Sequence, residues 1–313
     1  MALLRFGAVS TSRRIDGAGG VSLSVTEAGE QGRPTVLLVH GFPDTSAVWD
    51  PVVERLTDSF HVVRYDVRGA GQSDVPATRS GYALPLLVDD MVAVAEATSP
   101  DRPVHLVAHD WGSVQGWEAV TTETVATRIA SYTSISGPPL DHAALWARRH
   151  RTLRPSDLVR SFRQALHSWY IAFFHLPWIP ELMVRGSRTT RLWARRLHRI
   201  EHAPTDQRWP APTFAADFAH GVELYRANVR RRMQHPEARH TDVPVQLVIP
   251  LRDRYVTPAL LDGLEIWASD LRRYPVEAGH WVIRTQPDTI AAAIREFVDQ
   301  ADIDAGSPAV GGS

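Results

Sequence analysis

Short apolar runs rich in β-branched residues alternate along the chain with stretches whose apolar residues recur every three or four positions. The first pattern suits strands buried on both faces, the second amphipathic helices. Strands are predicted over residues 21–27, 35–39, 62–66, 104–108, 130–135, 245–249 and 272–276. Helices are predicted near 47–57, 85–98, 111–122, 258–269 and 287–300. In the last of these, Ile290, Ile294 and Phe297 share one helical face that should dock on a sheet. The alternation implies βαβ units, hence an α/β fold with a mostly parallel central sheet flanked by helices.

The rhythm breaks between about residues 141 and 239. No convincing strand occurs there, aromatics are frequent, and segments such as "PSDLVRSFRQALHSWYIAFFHLP" repeat with helical spacing. This stretch reads as a helical lid inserted between two strands. It divides the chain into a core, first part (1–140), a lid (141–239), a core, second part (240–301), and a flexible tail (302–313) of small and polar residues. Residues 147–239 hold 18 arginines against 7 acidic side chains, an excess of 11 in a chain of net charge −1, so the rest is acidic. Such a run is usually a solvated helix face. The alternative is attraction of an acidic substrate or an anionic surface.

Composition narrows the chemistry. There are no cysteines among the 313 residues, which removes disulfides, thiolate catalysis and cysteine metal sites. All 34 basic residues are arginine, which fits genome codon bias. The N-terminal stretch lacks a signal-like apolar run, and no window approaches the roughly 18 apolar residues of a membrane span. A cytoplasmic protein without integral membrane contact is expected, and its near-zero net charge gives no pull toward nucleic acid. Oligomeric state is not legible.

Four loops carry candidate chemistry. "HGFP" (residues 40–43) follows a buried strand, and Pro43 keeps Phe42 out of helical geometry, leaving the Phe42 amide free to face a pocket. "AHDWG" (108–112) is a strand, a tight turn and a helix start, with Asp110 at the apex between small residues. The Trp111 amide at that helix start could pair with that of Phe42 as an oxyanion hole. Taken alone, Asp110 could simply cap the helix. Asp253 and His280 each follow a predicted strand; alone, either would be an ordinary loop residue. Together the order nucleophile, acid, histidine belongs to α/β-hydrolases. A carboxylate at the apex can attack an sp³ carbon and leave an ester, which water can cleave, whereas a serine would leave an ether.

With "HGFP", "YDVRGAGQSD" (65–74), "HDWG", the Asp253 loop and "GHW" in this order, the chain resembles the epoxide hydrolases of the α/β-hydrolase superfamily over roughly residues 20 to 300. It is similar in particular to the hydrolase half of fused epoxide hydrolase/short-chain dehydrogenase proteins. Ala108 stands where many relatives have glycine. The resemblance implies a nucleophile Asp110, a base His280 oriented by Asp253, and two lid tyrosines, Tyr170 and Tyr225, that hold the epoxide oxygen. It implies no cofactor and no metal. His40, Pro43, Trp169 and Phe173 are expected to touch substrate, and the lid aromatics Trp146, Phe174, Trp178 and Trp193 to help form an apolar tunnel for a small lipophilic epoxide. Two alternatives are a haloalkane dehalogenase using the same Asp–His–Asp set and a non-catalytic ligand-binding protein on the same fold.

Overall fold

A computed structural model describes residues 10–150, 154–185 and 187–306. Eight strands form one sheet: β1 (Thr11–Asp16), β2 (Ser22–Ala28), β3 (Thr35–Val39), β4 (His61–Tyr65), β5 (Val104–His109), β6 (Ile129–Ile135), β7 (Val245–Pro250) and β8 (Leu271–Val276). Their spatial order is β1-β2-β4-β3-β5-β6-β7-β8. β1 and β2 pair antiparallel, as do β2 and β4; every other neighbouring pair is parallel. This is a mostly parallel sheet of an α/β fold, as the alternation of patterns implied.

The continuous apolar runs follow from cover on both faces. Every residue of β3, β4, β5 and β7 is buried. On one face, Leu37, Val63 and Leu106 pack with Leu87, Met91 and Val94 of the helix Leu84–Thr98 and with Trp117 of Trp111–Val120. On the other, Leu38, Val62 and Val107 pack with Val52 and Leu56 of Asp50–Leu56 and with Ile290 and Ile294 of Pro287–Gly306. Fully burying one such side chain is worth about 1.5–3 kcal/mol, so these two layers fix the strand ends from which the loops project.

Three expectations need correction. β1, "TSRRID", was not predicted, because this edge strand is almost wholly exposed and carries no apolar run. Its register is set by ladder pairing and by cross-strand contacts such as the Arg13 Nε–Glu27 Oε1 pair at 2.7 Å. The helix predicted over 258–269 is instead two 3-10 turns, Pro258–Leu261 and Leu264–Ile266, parted by Gly263 at φ 84°, where the left-handed backbone ends helical propagation. The predicted tail begins too early, since the last helix continues to Gly306; residues 307–313 lie outside the described residues.

Between β6 and β7 the described residues form helices Leu140–Arg149, Pro155–Phe174, Ile179–Met183, Ser187–Arg196 and Phe214–Gln234, with a π-helical turn at Leu197–Glu201. The long helix Phe214–Gln234 is fastened to the sheet side. Asn228 donates to the Tyr82 carbonyl at 2.8 Å and accepts from the Leu84 amide at 2.9 Å. Arg232 and Arg239 both pair with the carboxylates of Glu118 and Asp141. Among the described residues, no helix is long and apolar enough to cross a membrane.

Candidate active site

β5 ends at His109 and the helix Trp111–Val120 starts two residues later, so the whole reversal falls on Asp110. Its backbone takes φ 53°, ψ −119°, a conformation that costs a non-glycine residue of order 1–3 kcal/mol. The surroundings compel it. A Cβ on Gly112 would lie 2.4 Å from the Val39 carbonyl oxygen, and one on Gly41 would lie 2.4 Å from the Asp110 Cβ. Only glycine lets the helix start and the β3 loop close this tightly on the apex.

The Asp110 carboxylate is held on both sides. The Phe42 amide donates to Oδ1 at 2.8 Å, and His280 Nε2 stands 3.6 Å from Oδ2, just beyond hydrogen-bond length. The other ring nitrogen, Nδ1, donates to Asp253 Oδ2 at 2.9 Å. Asp253 is fixed in turn, its Oδ1 accepting from the amides of Tyr255 at 2.8 Å and Val256 at 3.0 Å. Burial opposes charge on the His280 ring, but the charges of Asp253 and Asp110 and the hydrogen bond to Asp253 outweigh it and hold the imidazole well above its ordinary range. Burial likewise opposes charge on Asp253, yet His280 and the two amides keep its carboxyl below the usual range.

Above the carboxylate lies a cavity of about 570 Å³ whose walls include Asp110, Trp111, Tyr170, Tyr225 and Tyr255. Val114, Leu140, Trp146, Ile171, Val229, Met233 and Leu260 make it largely apolar. The Tyr225 ring packs edge-on against Trp111 at 4.8 Å and Phe42 at 5.3 Å; the Tyr170 ring lies 6.0 Å from it. Burial raises both phenol pKa values. For Tyr170 the Asp110 charge adds most to this, and for Tyr225 the neighbouring Tyr170 and then Asp110. Both hydroxyls therefore keep their protons throughout the neutral range.

The other expected contacts fall elsewhere. His40 accepts from the Val67 amide at Nε2, 2.9 Å, which leaves the Nδ1 proton to donate to the Gly41 carbonyl, also 2.9 Å. Burial lowers its pKa, so it is a neutral brace for its loop. His40 and Pro43 line a separate pocket of about 20 Å³ beside Phe42 and Trp111, away from the large cavity. Trp169 is 64% exposed and Phe173 packs against Trp169 and Phe174; neither lines the cavity. Of the remaining aromatics, Trp146 lines it, Phe174 packs on Phe42 at 5.3 Å, Trp193 stacks on Phe214 at 5.5 Å, and Trp178 is exposed.

Four groups near the site were not singled out from the sequence. Glu201 Oε2 accepts from the His280 amide at 3.1 Å, and a Cβ on Gly279 would lie 2.1 Å from that oxygen. Asp44 is buried between two indoles, taking Trp209 Nε1 at 2.7 Å and Trp281 Nε1 at 2.9 Å; burial nevertheless pushes its carboxyl up to about 6. His109 donates from Nε2 to the His280 carbonyl at 3.0 Å, and burial pushes its pKa down to about 4. Tyr255 packs its ring 4.9 Å from that of His280. Asp44 follows "HGFP" directly and Tyr255 follows Asp253 by two, which were usable signals; Glu201 carried none. Among the described residues no cluster of three or more histidine or acidic side chains could hold a metal ion.

A family model described as the alpha/beta hydrolase fold matches residues 34–174. A protein named "Probable oxidoreductase EphD" from Mycobacterium tuberculosis is 39% identical over 297 residues, covering 93% of this chain and 50% of that one. Epoxide hydrolase A of the same organism is 28% identical, covering 92% of this chain and 97% of the relative. The chain has the α/β-hydrolase fold and is similar to epoxide hydrolases. It spans about half the length of the EphD relatives. Among solved structures, an epoxide hydrolase of Bacillus megaterium superposes with a TM-score of 0.74 at 22% identity, covering 92% of this chain and all of that one. One from Vigna radiata superposes with a TM-score of 0.71 at 22% identity, covering 93% of this chain and 98% of the other.

Proposed function

We propose that this hydrolase opens lipophilic epoxides to diols through an ester on Asp110, with the helices between β6 and β7 acting as a lid. The observation that carries the reading is one cavity lined by a carboxylate at a strained apex and by two buried phenols. An Asp110 oxygen attacks an epoxide carbon from behind and the ring C–O bond breaks. The alkoxide so formed takes a proton from Tyr170 or Tyr225, whose hydroxyls burial keeps protonated until then. Ester formation removes the Asp110 charge, and with it part of what holds His280 protonated. The imidazole then gives up its proton more readily and can take one from water, which attacks the Asp110 carbonyl carbon. The resulting oxyanion is held by the Phe42 and Trp111 amides, each worth about 3 kcal/mol in comparable sites. Collapse of this intermediate expels the second diol oxygen, which takes the proton from His280. The proton left on the Asp110 carboxyl replaces the one the tyrosine gave up, so that the carboxylate and the phenol are both restored.

A dehalogenase would need the same Asp–His–Asp set, but no paired phenols over the nucleophile. The oxidoreductase name belongs to relatives about twice as long, of which this chain matches half. The test is covalent. His280→Gln, given a lipophilic epoxide, should consume one equivalent and stop, leaving protein heavier by the substrate mass; Asp110→Asn should gain nothing. In wild type, a single turnover in heavy-oxygen water should label Asp110. Label found directly in the diol, with Asp110 unlabelled, would mean that water attacks the epoxide itself, and the ester reading would fall.

A further inference from the structure

The exposed apolar side chains of this protein are concentrated in one place. Among the described residues, 10 of the 15 large hydrophobics most open to solvent lie between Val159 and Leu192; the other five are scattered. On the helix Pro155–Phe174, Val159 is 58%, Phe162 65%, Leu166 59% and Trp169 64% exposed. Spacings of three and four put these residues in a single outward stripe. The same helix turns Gln164, Ser168, Tyr170 and Ile171 to the cavity, so apolar residues stand on its outer side as well as its inner one. Trp178 and Leu182, four and eight residues past the helix end, are also exposed, at 76% and 53%.

Charge accompanies the stripe. Arg160, Arg163, Arg188, Arg191, Arg195 and Arg199 are exposed and make no ion pair with a described residue. In contrast, Arg226, Arg232 and Arg239, nearer the sheet, are each neutralised by carboxylates. Outside residues 147–239 the balance reverses, with 16 arginines against 28 acidic residues. The molecule is thus electrically lopsided, and an anionic plane would turn its arginine-rich, apolar side inward. Free arginines flanking exposed Trp, Phe and Leu on a helix are what a lipid headgroup layer accommodates: the apolar stripe enters the acyl boundary and the guanidinium groups meet the phosphates.

From this we infer that the outer face of helix Pro155–Phe174, with the segment following it, docks on the surface of an anionic lipid bilayer. The cavity opens beside that stripe. Ala165 and Ala172 line the cavity and are themselves exposed, next to Leu166 and Trp169 on the helix surface. A docked molecule thereby takes an apolar substrate from the acyl layer without passing it through water.

Binding of the full chain to vesicles tests the inference independently of the chemistry assigned to Asp110. The chain should sediment with vesicles of phosphatidylglycerol and phosphatidylcholine, much less with phosphatidylcholine alone, and less as salt rises. Phe162→Ser with Leu166→Ser should weaken the partition by about tenfold or more. Arg160→Gln with Arg163→Gln should weaken it on anionic vesicles and flatten the salt dependence. Both double variants should unfold as cooperatively as wild type. Absence of binding to anionic vesicles, or equal binding by all variants, overturns the inference. So does a discrete dimer that Phe162→Ser with Leu166→Ser dissociates, found without vesicle binding, because the face would then be an interface between two copies of this chain.

Discussion

The sheet side and the helical side of the cavity position their groups by different means. On the sheet side the constraint is backbone against backbone. Asp110 sits at φ 53°, and any Cβ at Gly41 or Gly112 would come within 2.7 Å of atoms of the β3 and β5 loops. On the helical side the constraint is ring against ring. Tyr225 and Tyr170 are placed by edge-on packing at 4.8–6.0 Å against Trp111, Phe174, Tyr255 and each other. The first kind of placement tolerates almost no change, whereas the second can be repacked. In the proposed reaction, the bond-forming groups thus sit where the chain has no freedom, and the groups that meet the substrate's shape sit where it has some.

The strongest way to break this contrast is to remove both phenols. Tyr170→Phe with Tyr225→Phe keeps the packing and deletes the donors, so epoxide turnover should fall by roughly 10²–10⁴-fold with thermal stability little changed. Near-normal turnover would show that the helical side supplies shape alone.

A second comparison concerns stability. Gly112→Ala drives a methyl against the Val39 carbonyl oxygen and should cost about 1–3 kcal/mol in urea unfolding. Phe162→Ser on the helical side should stay within about 0.5 kcal/mol of wild type. Equal losses would mean that the two sides are equally constrained.

The finest test is electrostatic. Asp110→Asn removes a nearby charge that holds the His280 pKa up, so the ring should titrate at lower pH by NMR. Since only the neutral ring can act as base, and the ester form lacks the Asp110 charge, ester hydrolysis in the native site should rise with pH through a value below that of the free site. An unmoved titration in Asp110→Asn would show that the 3.6 Å contact carries no coupling.

The same two kinds of constraint explain what was legible in the sequence. Strands buried on both faces announce themselves as unbroken apolar runs, so β3, β4, β5 and β7 could be read closely, and with them the loops that carry Asp110, Asp253 and His280. β1 could not, because an exposed edge strand shows no such run. Helical periodicity in "LVRSFRQALHSWY" shows that one face is apolar but not which face meets water. Trp169 and Phe173 were therefore expected at the substrate, whereas Trp169 points outward and Phe173 joins its neighbours' packing. Glu201 was invisible because its role depends on a contact with an amide 79 positions away.

Asp44 ties together three distant parts of the chain, its two indole partners lying 165 and 237 positions further on. As the polypeptide leaves the ribosome, the strands β3 to β6 and the Asp110 turn are made well before Trp209, His280 and Trp281 exist. Until they arrive, the Asp44 carboxylate remains in water and Asp110 has no imidazole beside it. Closure of these long loops is the slow kind of contact. Competence thus comes late in the life of each new molecule, when a C-terminal tryptophan finally reaches an N-terminal aspartate.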